Sequence, residues 1–204
     1  MLTQISNQMA DAVAAAAPSV VQVHGRRRPA SGLVYADGIV VTTMRAVGRE
    51  DGLRVRTHAG DVLEASLAGW DPATSLAVLR VPGLKARPLP LADAPGPGVS
   101  AAILGFPENG PYDVRAGRLG ATRTTVTSDA YGRGPVERRL TSLRGVVRSG
   151  NSGGPMVDGK GRVVATIFAA TTSGPRGGFG VPNSVTKKVL AGARGPVGTG
   201  PCAR

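Results

Sequence analysis

A serine bracketed by glycines, Ser152 in the segment GNSGGP of residues 150–155, carries the clearest chemistry of this 204-residue sequence. The segment lies between two strand-like runs, one ending near Val147 and the other starting at Met156. Glycines on both sides allow a sharp turn that exposes the serine Oγ and directs consecutive amides into one concavity. A hydroxyl beside such amides is suited to attack on an acyl carbon, with the Gly150 and Ser152 amides as donors to the developing oxyanion.

The same segment resembles the nucleophile loop of the chymotrypsin-like serine proteases, and it is most similar to the loop of their HtrA-type branch. In that family two packed six-stranded antiparallel β-barrels hold the catalytic residues in the cleft between them. The resemblance implies that Ser152 is the nucleophile and that Gly150, Asn151 and Ser152 form the oxyanion hole. It also implies a trypsin-like hydrolase, a serine endopeptidase by family, with no cofactor and no metal.

The two positions that activate the nucleophile in this family hold other residues here. The family's general base is a histidine, and the matching stretch VTTMRAV of residues 41–47 has Arg45 at that position. The orienting aspartate matches Ser75 in the stretch DPATSLAV of residues 71–78. A guanidinium has a pKa above about 12 and no acceptor lone pair, so Arg45 is unable to take the proton from Ser152. Loss of a triad base costs about 10⁶ in kcat, or about 8 kcal/mol of barrier.

Neither of the two histidines is a convincing replacement base. His24 ends the first predicted strand, and His58 lies at a hairpin tip that is remote from the cleft in the family. We therefore predict a catalytically impaired, peptide-binding pseudoprotease that keeps its nucleophile and oxyanion loop. An active serine endopeptidase that uses an unidentified base stays open as an alternative.

Peptide binding is predicted from the same resemblance. The family pairs a substrate backbone with a strand edge that corresponds here to Thr166, Ile167, Phe168 and Ala169. Gly178 and Gly180 form the other wall of a side-chain pocket for a small or medium apolar residue. Expected partners are peptides or unfolded protein segments, and Arg45 is placed to hold a peptide carboxylate or another anion.

The elements that position these residues are mostly strands. Short β-branched or alternating runs predict a first set of strands at residues 19–24, 31–35, 39–43, 53–57, 62–68 and 76–81. Prolines between residues 82 and 98 mark a connector. A second set is predicted at residues 99–104, 114–126, 138–143, 156–157, 163–169 and 178–181. Helical spacing predicts short helices at residues 3–17 and from Asn183 or Ser184 to Leu190.

The predicted organisation is all-β, one trypsin-like domain made of two barrels. Its parts are an N-terminal helix at residues 1–17, a first β-barrel at 18–93, a second β-barrel with the C-terminal helix at 94–191 and a tail at 192–204. The second half, with LGFPENG and the ending VGTGPC, resembles the membrane-anchored acid-resistance serine proteases of mycobacteria. There the final cysteine is tethered to a second one, whereas Cys202 is the single cysteine here. A divergent, a recombined and a designed sequence all stay open.

The formal net charge of +12 is carried mostly by scattered arginines, with one tight run at residues 26–28. No aromatic residues are interleaved with them, so nucleic acid is not an expected partner, although a basic nucleic-acid or anionic-surface binder stays an alternative. No run reaches the roughly 18 apolar residues of a membrane span, and no signal peptide is evident. The compartment is unknown; a domain of a longer family member would be periplasmic or secreted. A membrane would be a partner only through an N-terminal anchor absent from this chain.

Overall fold

The computed structural model describes residues 2–200. It is a β-rich molecule with two sheets and a few short helices, which confirms the predicted all-β fold class. Cys202 lies outside the described residues. The helices are α1 Leu2–Ala16, α2 Met44–Val47 and α3 Asn183–Gly192, with 3₁₀ turns at Ala17–Ser19 and Pro107–Asn109.

The first sheet is antiparallel and has seven strands. Its strands are β1 Val20–His24, β2 Ala30–Ala36, β3 Ile39–Thr43, β4 Arg54–Arg56, β5 Val62–Glu64, β6 Ser66–Asp71 and β7 Leu76–Arg80. The order is β5-β4-β1-β2-β3-β7-β6, so its two edge strands are consecutive in the chain. Ala65 alone joins them and donates its amide to Leu53 O at 3.0 Å. The predicted strand at residues 62–68 is thus divided at a corner, which gives seven strands where six were expected.

The second sheet closes into a six-stranded barrel in the order β10-β13-β12-β11-β8-β9. Its strands are β8 Ser100–Gly105, β9 Asp113–Thr127, β10 Val136–Gly145, β11 Pro155–Asp158, β12 Val163–Ala170 and β13 Gly177–Val181. Asn183 is the first residue of α3, but its side chain does not cap the helix. The prediction that Asn183 or Ser184 caps this helix is therefore wrong. The Asn183 side chain donates 2.8 Å hydrogen bonds to Ala92 O and Val163 O, and so ties the helix to the connector and to β12.

Buried aliphatic side chains pack on the inner face of each sheet and in the space between the sheets. A core of this kind is expected for a sequence with only 3% aromatic residues. One apolar cluster combines residues of both sheets, including Val20, Leu33, Val41, Leu76, Leu104 and Val157. Burying such side chains is the main favourable contribution to folding. This shared cluster holds the two sheets against each other and so fixes the walls of the cleft between them.

The tail after α3 is better anchored than its Gly- and Pro-rich composition suggests. Thr199 is 1% exposed. Its amide and hydroxyl donate hydrogen bonds to the Glu50 carboxylate, and its carbonyl accepts one from the Tyr131 hydroxyl. The predicted domain limits stay a prediction. No helix within residues 2–200 is long and apolar enough to cross a bilayer.

Candidate active site

The loop that carries Ser152 joins β10 to β11 and is fastened to both sheets. Ser31 of β2 donates its amide to Ser152 O at 3.1 Å, and Gly153 donates to Ile167 O of β12 at 2.8 Å. Gly150 and Gly153 have φ angles of +93° and +86°, in the left-handed region that glycine tolerates without a Cβ penalty. The sharp turn predicted from the sequence is therefore present, and it fixes the serine at the junction of the two sheets.

The Ser152 hydroxyl is directed at a carbonyl group. Its Oγ donates a 3.0 Å hydrogen bond to Phe168 O on β12. A carbonyl oxygen of this kind orients the hydroxyl but does not remove its proton, so the oxygen gains little nucleophilicity.

Two of the amides next to Ser152 are available to a ligand. Ser149 O accepts a 2.7 Å hydrogen bond from the Glu108 amide. The planar trans peptide then points the Gly150 N–H to the opposite side. Neither the Gly150 nor the Ser152 amide donates to another residue in the described part of the chain. The Asn151 amide differs from them, because it donates to Arg148 O at 3.0 Å inside the loop.

Arg45 lies in the single turn of α2, directly after β3, and its side chain is exposed. It lines two cavities that also contain Ser152. The family alignment thus predicts the correct neighbourhood for Arg45, since the structure brings the guanidinium and the serine to the same cleft.

Ser75 is buried at the turn between β6 and β7, with a φ of +61°. A non-glycine residue in this region is uncommon and is held by its surroundings. Its backbone oxygen accepts a 2.8 Å hydrogen bond from the Met44 amide, next to Arg45. Its hydroxyl oxygen accepts a 2.8 Å hydrogen bond from Nη1 of Arg138.

Arg138 is the functional candidate that the sequence reasoning missed. Its side chain projects from β10, is 5% exposed and stacks with its Cζ 5.3 Å from the Phe168 ring centroid. Besides Ser75, its hydrogen-bond partners are the carbonyl oxygens of Ser128 at 2.9 Å and Pro72 at 3.4 Å. It forms no ion pair with any described carboxylate. The inward and outward alternation of Arg138 and Arg139 along β10 is the one signal that would have distinguished it.

Burial lowers the pKa of Arg138, and the carboxylates of Asp129 and Asp71 offset this only in part. The cause is desolvation, which disfavours the charged form of a group removed from water. A guanidinium nevertheless stays protonated in proteins. The structure therefore holds a desolvated cation beside Ser75.

Two connected cavities flank Ser152. The larger one, of about 670 Å³, lies between the loop after β1 and the ends of β10 and β12; its lining includes Arg27, Arg28, Arg45, Ser149, Gly150, Phe168 and Ala170. The smaller one has a volume of about 360 Å³; its polar lining residues include Thr43, Arg45, Ser75, Asp129, Arg138 and Ser152. We call the smaller cavity the donor pocket, because hydroxyl and guanidinium groups line it.

The predicted peptide edge is shorter than the sequence indicates. Thr166 pairs with Pro155 on one side and with Val181 on the other, so it lies inside the barrel. Ile167 is fully buried and exchanges two 2.8 Å hydrogen bonds with the nucleophile loop. Beyond Ile167, β12 pairs with β13 only, so the open edge begins at Phe168 and includes Ala169.

Gly178 and Gly180 line neither of the two cavities that contain Ser152. The Val147 side chain packs against Gly178, within 3.0 Å of where a Cβ on that glycine would be placed. Val147 therefore covers the expected pocket wall at Gly178, and the sequence pattern does not reveal the direction of this side chain.

Both histidines lie outside these cavities. His24 Nε2 is 2.9 Å from Gln22 Oε1, and the His58 ring packs edge-on against Tyr112 at 4.7 Å between centroids. Burial and the neighbouring charges of Arg56 and Arg54 lower the pKa of His24 below its ordinary 6.5. Neither imidazole is placed to accept the proton of Ser152.

Because the pKa of His24 is lowered in the folded protein, we expect the free energy of unfolding to depend on pH. In the unfolded chain His24 takes up a proton near pH 6.5, whereas in the folded chain it does so only at lower pH. The free energy of unfolding should therefore fall as the pH falls from about 7 through 6.5. The loss should level off below the folded-state pKa. His24→Gln should flatten this part of the curve, measured by urea denaturation at each pH. A His24→Gln profile that parallels the unsubstituted protein would contradict the assignment.

Comparisons with known proteins agree with this geometry. A family model described as a trypsin-like peptidase domain matches residues 30–165. The chain is 32% identical over 201 residues to the serine protease Rv3671c of Mycobacterium tuberculosis, which covers 93% of this chain and 50% of that protein. A DegP-like periplasmic serine endoprotease of Ectopseudomonas mendocina is 32% identical over 175 residues, covering 81% of this chain and 36% of that protein.

Among solved structures, the active form of the Rv3671c protease from M. tuberculosis has a TM-score of 0.90 at 30% identity. The match covers 99% of this chain and 92% of that chain. The chain spans about half the length of the curated relative Rv3671c.

Proposed function

The chain belongs to the trypsin-like peptidase family, and on that premise we propose that it is a catalytically impaired, HtrA-type homologue that binds peptides without cutting them. Proteases of this family act on peptide or protein substrates. The proposal is that the peptide-binding part of this chemistry is kept and the acid–base part is lost.

The observation that carries the proposal is the surroundings of the Ser152 hydroxyl. It donates to Phe168 O, and the cationic Arg45 lines the same two cavities. No imidazole lines either cavity, and a guanidinium has no lone pair with which to accept a proton. A serine without a base is a weak nucleophile, so acyl transfer should be slower by about 10⁶ than in an intact triad.

The second lost position supports the same proposal. Ser75 occupies the place of the orienting carboxylate, and its oxygen already accepts a hydrogen bond from Arg138. A base at position 45 would therefore meet a cation where the family supplies an anion. An anion at this place orients the imidazole and stabilises its protonated form, and Arg138 favours neither.

Peptide binding is supported by what remains of the cleft. The edge of β12 from Phe168 to Ala170 is open toward the larger cavity, so an extended peptide is able to add to it as a strand. Arg27 and Arg28 line the opposite wall, which favours peptides with acidic residues. The periplasmic description of the DegP-like relative favours an extracytoplasmic location, and we extend that to this chain as part of the proposal.

Labelling by a fluorophosphonate tests the catalytic half of the proposal. At neutral pH the protein should label no faster than its Ser152→Ala variant, because the probe needs an activated hydroxyl. Labelling is followed by intact mass, with an active trypsin-like protease as the positive control for the reagent. Rapid labelling that is lost on Ser152→Ala would show a working base and would favour the alternative of an active endopeptidase.

A further inference from the structure

We propose that the donor pocket is a binding site for a carboxylate group, carried by an acidic side chain of a bound peptide. The pocket is lined by Arg45 and Ser75, the residues that the sequence resemblance matches to the family's histidine and aspartate. It presents guanidinium and hydroxyl groups in place of an imidazole and a carboxylate. That the carboxylate belongs to a peptide rests on the proposed function, whereas the pocket's preference for an anion does not.

Arg138 supplies the main argument for an anion. Its guanidinium is buried and has no carboxylate partner among the described residues. Its Nε is fully enclosed and has no hydrogen-bond partner. A buried, unpaired cation with an unsatisfied donor is unfavourable, and proteins normally pair such groups. An anion in the pocket would supply the missing charge.

Two hydroxyl groups at the same pocket point to the same class of ligand. Thr43 Oγ1 is buried and has no hydrogen-bond partner. The Ser75 oxygen accepts its hydrogen bond from Arg138, so its own proton stays available for donation. Unsatisfied buried hydroxyls are rare in folded proteins and call for an explanation. A carboxylate in the pocket would give Ser75 an acceptor, and it would give Thr43 one after rotation of the Thr43 side chain turns Oγ1 toward the pocket.

The acidic residue that lines the pocket does not supply this anion. The Asp129 carboxylate accepts hydrogen bonds from the amides of Tyr131 and Arg133 at 2.9 and 2.8 Å. Arg133 Nε also lies 3.3 Å from its Oδ2. Asp129 is thus engaged by its own loop, and Arg45 adds a further cation to the pocket.

The choice of a carboxylate follows from shape and position. A guanidinium binds a planar carboxylate through paired, charge-assisted hydrogen bonds. The pocket of about 360 Å³ shares Phe168 and Ala169 with the larger cavity, where the open edge of β12 lies. A peptide on this edge therefore has a side chain within reach of the pocket.

The experiment has two arms, each at constant ionic strength. In the first, sodium acetate replaces sodium chloride while thermal unfolding is followed, and we expect the melting temperature to rise with acetate concentration. In the second, a blocked peptide containing Glu is compared with its Gln analogue by fluorescence anisotropy. If the Glu peptide binds at least about tenfold more tightly than the Gln analogue, a peptide side chain is the source of the bound carboxylate. Acetate binding with equal peptide affinities supports the pocket with a free carboxylate as its ligand.

Variants locate the effect. Thr43→Val removes the unpartnered hydroxyl without breaking a hydrogen bond, so the fold should persist while acetate affinity falls about tenfold. Arg138→Met should weaken binding by about 10- to 100-fold. Arg139→Gln, on the exposed face of the same strand, is the matched control and should leave binding unchanged. No rise in melting temperature with acetate, or equal rises in all variants, overturns the proposal.

The outcome is independent of the catalytic half of the proposed function. Rapid labelling of Ser152 together with acetate binding at the pocket would contradict the proposed loss of catalytic activity and support the proposed anion site. Slow labelling without acetate binding would do the reverse.

Discussion

Replacing Arg45 by His together with Ser75 by Asp is expected to accelerate fluorophosphonate labelling of Ser152 by at least about 10³-fold. The turn of α2 places position 45 in both cavities that contain Ser152, so we expect an imidazole there to come within reach of the hydroxyl. The Ser75 backbone accepts from the Met44 amide, which brings position 75 next to the end of β3. A carboxylate at position 75 is therefore placed to orient the new imidazole.

Arg138 should limit the gain in the double variant. Its Nη1 already contacts the Ser75 oxygen at 2.8 Å and would pair with a carboxylate introduced there. The pairing would neutralise the charge that stabilises the protonated imidazole. Adding Arg138→Met to the double variant should raise the labelling rate by a further factor of about ten or more, since one unit of pKa corresponds to about 1.4 kcal/mol.

Single and serine-free variants serve as controls for this reversion. Ser75→Asp alone should stay at the background rate, because it orients a base that is absent. Ser152→Ala in the reverted chain should abolish labelling. A folded protein that carries Arg45→His, Ser75→Asp and Arg138→Met and still labels at background would mean that the Gly150 and Ser152 amides do not act as oxyanion donors, which would contradict the retained half of the proposed mechanism.

The fold class is readable from local patterns because each pattern corresponds to one local structure. Turn residues such as Asp37-Gly38 separate β2 from β3, and the prolines between residues 82 and 98 fall between the two sheets. The corner at Ala65 is not readable in this way, because alanine carries no turn signal. Its position depends on where β5 and β6 pair at opposite edges of the first sheet, which is a property of the whole sheet.

The neighbourhood of the candidate site is also predictable, but its chemistry is only partly so. Matched stretches of sequence suffice to bring Ser152, Arg45 and Ser75 to one cleft, since these stretches are the ends of strands that meet there. Arg138 was missed because arginine is abundant in this sequence and normally exposed. The alternation of faces along β10 turns Arg138 inward and Arg139 outward. The roles of all four residues stay predictions.

The burial of Thr199 in the C-terminal tail is a second feature that local sequence patterns do not predict. A Gly- and Pro-rich composition describes the residues around it and predicts a loose segment. The Glu50 and Tyr131 side chains that bind it come from distant parts of the chain, so no local pattern contains them. Long-range pairs of this kind determine both the anchored tail and the buried cation at the cleft.

Gly153→Ala is expected to be the most destabilising single substitution near the site. An added Cβ would lie 2.2 Å from Ser31 O and 2.6 Å from Thr42 Oγ1, in the backbone and side chain of two core strands. Neither strand is able to move without disturbing the apolar cluster that joins the sheets. Forcing atoms into a packed region costs typically about 1–3 kcal/mol, and a left-handed conformation costs an alanine about 1–2 kcal/mol more.

Gly174→Ala separates these two contributions. Its φ of +82° is nearly that of Gly153, at +86°, but a Cβ there would meet no atom within 4 Å. Gly174→Ala should therefore lose only the conformational part, about 1–2 kcal/mol, and Gly153→Ala should lose roughly twice as much. Urea denaturation of the three proteins measures both losses. Equal losses would mean that the nucleophile loop is not packed against β2 and β3, and the cleft would then lack the rigid junction on which the position of Ser152 depends.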